Sequence, residues 1–542
     1  MHLNRALRLC ERGPPRSDAA ARPEVDTPAD PASRDLIVAH DVGTSGVKTV
    51  LADAGGRVVA KHVEPYPTCY PEVGWAEQDA SDWWRAVCAG TRAVLAGRDG
   101  AAPACVTFST QMLGVVPVDG AGTVLRRPII WLDGRAGAEA VAIMRRFGGA
   151  RLFERLAGAT LSGKDGMPKL QWLRRHEPDT WDRMACFVDV GGYLLLRCTG
   201  HSAMEWTGAS AFGLDLKRKA WLSGIMRYAG IDVSKLPPLL RPNAVAGAAI
   251  PAAAADLGIP EGTPIVSGMG DAAAAAIGSG AIGDGEAHLY LGTSGWVVTI
   301  TSGHPTGRHG VAVIQSGDPD RNLLIAEMET GGACLEWAAN ELFRARESGR
   351  PLGDAFAEMD AEAEAVAPGS DSLLFTPWMY GERVPVDDPL LRSSFINLGP
   401  EHRRGTLVRA ILEGVAFNFR WILERLAQDF RLASPVLRVV GGGARSGVWM
   451  QIIADVTGRR LEVVEDPQDA GAVGAALAAG VALGMHPSFA SLRATVRVSR
   501  SFDPRPENRA TYDVMFRQYQ AAYRQLRGLH HALNRGPGAG AA

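Results

Sequence analysis

Two copies of the tetrapeptide Gly-Thr-Ser-Gly lie far apart in the chain, at residues 43–46 and 292–295. Each copy follows a short apolar run and precedes another, which predicts a strand, a tight turn and a second strand. A turn of small residues lets backbone N–H groups and hydroxyls approach a phosphate chain closely. One copy alone is ordinary hairpin material, but two in matching contexts favour a nucleotide site with one phosphate loop from each half of the chain.

The first copy is accompanied by charged side chains that the second copy lacks. Asp41 stands at the end of the preceding strand, where a carboxylate can hold Mg²⁺ through water. Lys48 follows the turn within reach of a phosphate, whereas Leu291 directly precedes the second copy. The two loops therefore resemble each other in sequence and are expected to differ in role, with the metal on the first.

A third glycine cluster, Gly441 to Gly443, separates a predicted strand from a predicted helix. Its glycines allow a ligand to come close to a helix N-terminus, where backbone N–H groups point outward. The cluster matches neither the G-x-G-x-x-G pattern nor the Walker pattern. This argues against a Rossmann dinucleotide site and against a P-loop.

Asp271 follows the strand-like segment PIVSG and opens an alanine-rich helix. Aspartate at such a position is most often a helix N-cap. The other interpretation is a general base, which accepts the proton of a substrate hydroxyl during phosphoryl transfer. The local sequence leaves both interpretations open.

The composition excludes several classes of protein. The 542 residues are 46% hydrophobic and 21% charged, with a formal net charge of −2, so no global basic field recruits nucleic acid or an acidic membrane. Seven scattered cysteines without a CxxC pair argue against a zinc site and a disulfide framework, and fit a reducing cytosol. The longest apolar stretch, residues 471–485, is too short to span a bilayer and predicts a closely packed helix. Residues 1–34 and 531–542 are predicted to be disordered.

The order of predicted elements repeats in the two halves. The first half has three strands, a helix capped by Asp79, and strands at 104–110 and 127–133. The second half has two strands around its loop, a third strand at 323–329, a long amphipathic helix, the strands VLRVV and LEVVE, and the Ala/Gly-rich helix. Matching order indicates a duplication, with a mixed sheet and helices on its faces in each half. The predicted domains are 35–283 and 284–530.

Nine collinear segments between residues 36 and 525 make the chain similar to the FGGY carbohydrate kinases, and within them most similar to the xylulokinases. The segments are DVGTSGVKT, GWAEQDASDWW, IIWLDGRA, KLQWLRRHEP, GMGDAAAAAIGSG, YLGTSGW, GERVPVDDPLLRSSF, RAILEGVAFNFR and GGGARSGVWMQIIADV. The resemblance implies an α/β fold of two duplicated ribonuclease-H-like domains, as in actin-like ATPases, with ATP and sugar in the cleft between them.

The resemblance also implies roles for individual residues. Asp271 matches the family's catalytic base, which also contacts the substrate, and Asp41 matches its Mg²⁺-associated aspartate. The residues implied to bind ATP are Thr44, Ser45 and Lys48 on one side of the phosphates, Gly292, Thr293 and Ser294 on the other, and Gly442, Gly443, Ala444 and Ser446 beside the nucleoside.

The implied reaction is ATP-dependent phosphorylation of a hydroxyl of a small sugar or polyol in carbohydrate catabolism, and D-xylulose to D-xylulose 5-phosphate fits best. A kinase of ribulose, erythritol or glycerol stays open, as does a non-catalytic actin-like ATPase relative. ATP and Mg²⁺ are the implied cofactors. A small-molecule substrate is expected, with no nucleic-acid or membrane partner, and a homodimer is left open.

The sequence departs from the family pattern at two places on the predicted sugar-binding side of the cleft. In the predicted substrate-binding loop, Gln111 and Met112 match the xylulokinase pattern, but Leu113 replaces a histidine that offers a hydrogen bond to a sugar hydroxyl. Gly191 and Gly192 replace a charged pair and are expected to loosen the backbone there. A kinase of a small polyol or ketose is therefore a firmer expectation than a xylulokinase.

Overall fold

The described part of the chain forms two α/β halves. The structure is a computed structural model and describes residues 35–98, 102–157 and 160–534. The strands of the first half are β1 (Ile37–Val42), β2 (Gly46–Ala52), β3 (Val58–Pro65), β4 (Cys105–Thr110), β5 (Val116–Val118), β6 (Cys186–Val188), β7 (Met204–Glu205), β8 (Leu214–Asp215), β9 (Ala220–Trp221), β10 (Leu239–Leu240), β11 (Val245–Ala248), β12 (Pro264–Val266) and β13 (Met269–Gly270). Its helices are α1 (Ala80–Leu95), α2 (Gly137–Arg146), α3 (Ala150–Ala157), α4 (Gly166–His176), α5 (Pro178–Arg183), α6 (Val190–Thr199), α7 (Trp206–Ser210), α8 (Ser223–Tyr228), α9 (Pro251–Leu257) and α10 (Asp271–Ser279).

The second half has fewer strands and longer helices. Its strands are β14 (Ala287–Leu291), β15 (Gly295–Thr301), β16 (Ala312–Gln315), β17 (Asn322–Met328), β18 (Leu374–Thr376), β19 (Ser394–Ile396), β20 (Val436–Val440), β21 (Arg460–Val464) and β22 (Val498–Phe502). Its helices are α11 (Ala333–Glu341), α12 (Ala345–Ser348), α13 (Leu352–Glu364), α14 (Arg404–Phe430), α15 (Gly447–Thr457), α16 (Ala470–Ala482) and α17 (Arg509–Asn534).

The large sheets of the two halves share a topology. Within the described ranges, the first sheet has the order β11-β12-β4-β1-β2-β3, with β13 beside β4, and the second has the order β16-β17-β15-β14-β20-β21-β22. In both, an antiparallel hairpin (β1–β2 and β14–β15) is joined on its first strand to a parallel neighbour (β4 and β20). This confirms the predicted fold of two duplicated α/β domains, and each Gly-Thr-Ser-Gly copy is the turn of the equivalent hairpin.

The structure departs from the predicted elements in two places. The segment 127–133 is not a strand, because Ile129 forms only isolated bridges to Glu77 and Val115 and Pro128 has no N–H to donate. The disordered tail predicted from residue 531 begins too early, because α17 continues to Asn534. His531 holds this last turn through hydrogen bonds of its ring to the Asp388 carboxylate. The predicted extension 1–34 and residues 535–542 lie outside the described residues.

Three helices predicted from the sequence are present in the structure. The side chain of Asp79 caps α1 by accepting from Ser81 N at 2.9 Å, and α14 is the predicted long helix. The Ala/Gly-rich segment forms α16, which is largely buried. Among the described residues, no helix combines the length and apolar character needed to cross a bilayer.

Helices α10 and α16 pack against each other where the two halves meet. A Cβ at Gly278 would overlap the carbonyl oxygen of Ala470, and one at Gly474 would overlap that of Ala274. Helix α16 belongs to the second half, yet its alanines share a core with Ile37 and other residues of the first sheet. Small side chains therefore let the two halves approach closely, because only glycine fits at these crossings.

Candidate active site

Asp41 lies at the end of β1, in the seam between the halves. Its Oδ1 accepts a hydrogen bond from Ser109 Oγ at 2.8 Å. A Cβ at Gly471, in the first turn of α16, would stand 2.9 Å from the Asp41 carboxylate, so glycine is needed there. Burial raises the pKa of Asp41, while the charge of Lys48 and the Ser109 hydrogen bond oppose the rise.

Asp271 is the first residue of α10, and Gly270 occupies the N-cap position. The N-cap interpretation of Asp271 is therefore wrong, because Asp271 lies one residue inside the helix. The Asp271 Oδ1 atom accepts a hydrogen bond from the adjacent Ala272 N at 2.8 Å. Burial, followed by the negative charge of Asp41, raises the pKa of Asp271 to about 7. Two carboxylates from different elements thus interact, and one of them is poised to exchange a proton near neutral pH.

Polar side chains from neighbouring segments donate hydrogen bonds to the first Gly-Thr-Ser-Gly loop. Trp131 Nε1 donates to Thr44 Oγ1 at 2.9 Å, and Gln78 Nε2 donates to Thr44 O at 2.6 Å. Gln111 Nε2 donates to Gly43 O at 3.1 Å and its side chain is buried, so the structure gives Gln111 a supporting contact with this loop. Ser45 stays exposed at the tip. A contact of Gln111 with substrate stays a prediction.

Lys48 bridges the two halves. Its Nζ lies 3.2 Å from the Asp469 carboxylate and also contacts Gln468 O. Asp469 pairs with Lys61 as well, at 3.2 Å, and only 1% of its side chain is exposed. To make the predicted phosphate contact, the Lys48 ammonium group must either bind the phosphate while still paired with Asp469 or break that ion pair.

The second Gly-Thr-Ser-Gly loop is attached to the start of α11. Gly332 N donates to Gly292 O at 2.8 Å, and Gly331 N donates to Thr293 O at 2.9 Å. These bonds occupy loop carbonyl oxygens, whereas Thr293 is exposed and Ser294 is half-buried. The second loop is thus fixed through its carbonyl groups, which leaves its side chains free to face a ligand.

The third glycine cluster stands beside the second loop because β20 runs parallel to β14. Gly441 adopts a φ of +95°, and a Cβ there would stand 2.5 Å from Leu291 O. Gly442 has open space around it. Ser446 caps α15 by accepting from Trp449 N at 3.0 Å and donates to Asp360 at 2.8 Å. Ala444 is buried next to them.

The predicted substrate loop adjoins the strand that leads to Asp271. A Cβ at Gly270 would meet Met112 Sδ at 2.6 Å. Leu113 is half-buried and has a φ of 62°, in the left-handed region. Its carbonyl oxygen accepts from Lys169 Nζ at 3.1 Å, and the same ammonium group donates to Ile130 O at 2.8 Å. Lys169 is fully buried, which lowers its pKa to about 7.

The expectation that Gly191 and Gly192 loosen the backbone is wrong. Both belong to the first turn of α6, which Asp189 caps by accepting from Gly192 N at 2.8 Å. A Cβ at Gly192 would stand 2.5 Å from Ala203 O. These glycines allow close packing of a regular helix, because the capped first turn has its hydrogen bonds satisfied.

Comparison with known proteins shows which family this chain belongs to. The model of the FGGY family of carbohydrate kinases matches over both of its parts, the N-terminal domain at residues 36–278 and the C-terminal domain at residues 287–483. The chain belongs to the FGGY family of carbohydrate kinases. The seam that carries Asp41 and Asp271 is thus the junction between the two FGGY domains, and the protein is a sugar kinase of this family.

The most similar relatives of this FGGY kinase include two kinds of sugar kinase. It is 29% identical to the xylulose kinase of Bacillus subtilis over 502 residues, which cover 92% of this chain and 98% of the relative. It is 28% identical to the gluconokinase of Bacillus licheniformis over 477 residues, covering 87% and 92%. The crystal structure of the xylulose kinase from Rhodospirillum rubrum superposes with a TM-score of 0.82, at 29% identity, covering 92% and 100%.

Two buried charged residues near the candidate site of this FGGY kinase were not predicted from its sequence, Asp469 at the domain junction and Lys169 within the first domain. Asp469 precedes the Ala/Gly-rich helix as Asp271 opens the Ala-rich one, and that parallel was a usable signal. Lys169 lies inside the segment KLQWLRRHEP, which the resemblance used, but nothing local indicates that its ammonium group binds the carbonyl of Leu113. Both contacts join segments far apart in the chain.

Proposed function

We propose that this FGGY kinase transfers the γ-phosphoryl group of ATP to a hydroxyl of a small sugar or polyol, with D-xylulose to D-xylulose 5-phosphate as the best candidate. The position of Asp271 carries the proposal: Gly270 pairs with Thr110 of β4, and Thr110 pairs with Val42 just before the first phosphate loop. Burial there, and then the negative charge of Asp41, raise the pKa of the Asp271 carboxyl group to about 7. In the reaction, the hydroxyl oxygen attacks phosphorus, the bond to ADP breaks, and Asp271 accepts the hydroxyl proton.

The donor set at Asp41 fits Mg²⁺. Magnesium prefers hard oxygen ligands and is commonly held by one or two carboxylates, waters and substrate phosphates. Asp41 offers a carboxylate oxygen beyond the one bonded to Ser109. A bound Mg²⁺ would neutralise charge on the ATP phosphates. The chain's own part is to orient the nucleotide between the two loops and to hold the hydroxyl at Asp271.

The pH dependence of the reaction should report the Asp271 carboxyl. A base must be ionised to accept a proton, and the pKa of Asp271 is raised to about 7. We therefore expect kcat/KM to fall about tenfold per pH unit as the pH drops below that value, and to level off above it. Initial rates across the pH range test this, with circular dichroism at each pH as the folding control. A profile that stays flat through pH 7 contradicts the assignment.

The substrate is tested by measuring sugar-dependent ADP release with D-xylulose, ribulose, erythritol, glycerol and gluconate. Gluconate is included because a gluconokinase, like the xylulose kinases, matches this sequence over most of its length. ADP formed only in the absence of sugar, or ATP-dependent filaments, would instead favour a non-catalytic actin-like ATPase. If none of these compounds accelerates ADP release, the proposed function fails.

Leu113→His is expected to raise kcat/KM for D-xylulose about tenfold, because an imidazole can hydrogen-bond a sugar hydroxyl that leucine leaves unmatched. The backbone at residue 113 already has a φ of 62°, which histidine adopts more readily than leucine. Leu113→Ala is the matched control, since it opens space without adding a donor. An equal gain in both variants, or none in Leu113→His, contradicts the role given to this position.

A further inference from the structure

Tyr290 stands at the base of the second phosphate loop, one residue before the end of β14. It is paired in register with Trp296 on β15, and the two rings stack with centroids 3.8 Å apart and planes 7° from parallel. The phenol ring packs against the loop, because a Cβ at Gly292 would stand 2.6 Å from the Tyr290 hydroxyl oxygen. The stack and this contact together fix the hydroxyl beside the loop.

The charges of both seam carboxylates act on the same side chain. Burial raises the pKa of Tyr290, and the negative charges of Asp41 and Asp271 raise it further. The ring also adjoins a small buried cluster that contains Ala275 of α10 and Ala470 of α16. Tyr290 therefore lies where both domains and both carboxylates converge, and its phenol stays protonated as a hydrogen-bond donor.

A neutral donor suits this position. During transfer the γ-phosphoryl group moves from the nucleotide, held by the second loop, toward the hydroxyl at Asp271, and negative charge is spread over its oxygens. Asp41 and Asp271 are acceptors, and their charge disfavours a phosphate placed between them. A fixed O–H beside them supplies the complementary donor without rearrangement during the reaction.

We propose that Tyr290 is a further catalytic residue, whose phenolic hydrogen bonds a non-bridging oxygen of the γ-phosphoryl group during transfer. The proposal rests on the proposed kinase function. No covalent bond forms to Tyr290: phosphorus exchanges the ADP oxygen for the sugar oxygen, the hydroxyl proton goes to Asp271, and the phenol keeps its own proton.

The test is Tyr290→Phe, which keeps the ring and its stack and removes only the hydroxyl. We expect kcat to fall about 100-fold, as when one donor to a developing charge is removed, while KM for ATP and sugar changes less than about threefold. Slow ATP hydrolysis without sugar should fall in parallel, because the donor acts on the phosphoryl group. The melting temperature should not change. Tyr228→Phe is the control, since that hydroxyl donates to Arg146 O on the surface of the first domain.

Three results would overturn the proposal. One is a Tyr290→Phe enzyme with wild-type kcat. Another is loss of sugar phosphorylation with unchanged ATP hydrolysis, which would place the hydroxyl on the sugar. The third is a joint loss of kcat, ATP affinity and melting temperature, which would show a structural role. A wild-type protein that phosphorylates none of the test compounds refutes the proposed function itself, so the two failures are distinguishable.

Discussion

Asp271→Asn is expected to lower kcat about 10³-fold while ATP affinity stays close to that of the wild type. The amide fills the same volume but cannot accept the hydroxyl proton. In the proposed site, ATP is bound by the two loops and the glycine cluster, so its affinity is not expected to depend on this carboxylate. Steady-state phosphorylation rates and calorimetric titration with ATP measure the two quantities separately. Asp271→Ala should show a loss of the same order, because both variants lack the base.

The matched control for this experiment is Asp320→Asn, at an exposed aspartate in the second domain. It removes the same charge from the chain and should leave kcat unchanged. Each variant must be purified free of host kinase, since a trace of contaminating enzyme would mimic activity. An Asp271→Asn enzyme with near wild-type turnover would falsify the assignment of the base.

Gly474→Ala is expected to have the second large effect, through the domain junction. Its Cβ would overlap Ala274 O and stand 2.7 Å from Gly278 N, so α10 and α16 must move apart. Overpacking of this kind costs about 1–3 kcal/mol of unfolding free energy. The movement also shifts Asp271, which begins α10, relative to Asp41, which α16 touches at Gly471. A misplacement of about 1 Å at a reacting centre lowers kcat on the order of 100-fold.

Gly528→Ala is the control for this substitution, because Gly528 is also helical and has open space where its Cβ would be. It should stabilise the protein by about 0.5–1 kcal/mol, since alanine restricts the unfolded chain and favours helix. Urea unfolding and kcat are measured for both variants. If Gly474→Ala behaves like Gly528→Ala, the close packing of the two helices does not govern the site.

The local patterns of the sequence predicted most of the fold. Short apolar runs around Gly-rich turns predicted the two hairpins, apolar periodicity predicted α14, and the Ala/Gly-rich composition predicted α16, because these signals act within one element. The segment 127–133 shows the limit of this reasoning. Its composition is typical of a strand, yet strand formation needs a partner along its length, and Ile129 finds only single-residue bridges.

The candidate site was predictable where its residues lie in motifs. The two loops, Asp41, Asp271 and the cluster at 441–443 could be named from the sequence because each is a short run with its own turn or helix start. Their adjacency followed from the duplication and the family resemblance. The roles of the individual residues as base, metal ligand and ATP contacts stay predictions that the variants above address.

The sequence by itself determined the duplicated architecture and the places of the two Gly-Thr-Ser-Gly loops, and its family resemblance predicted Asp271 as the base. Only the tertiary structure decided how the groups act on one another. It pairs Lys48 with Asp469, bonds Leu113 O to Lys169, and stacks Tyr290 on Trp296 against Gly292 of the second loop. The physical reason is that charge interaction, burial and hydrogen bonding depend on distance in space. Lys48 and Asp469 are remote in sequence, and the close crossing of α10 and α16 joins the two domains next to them.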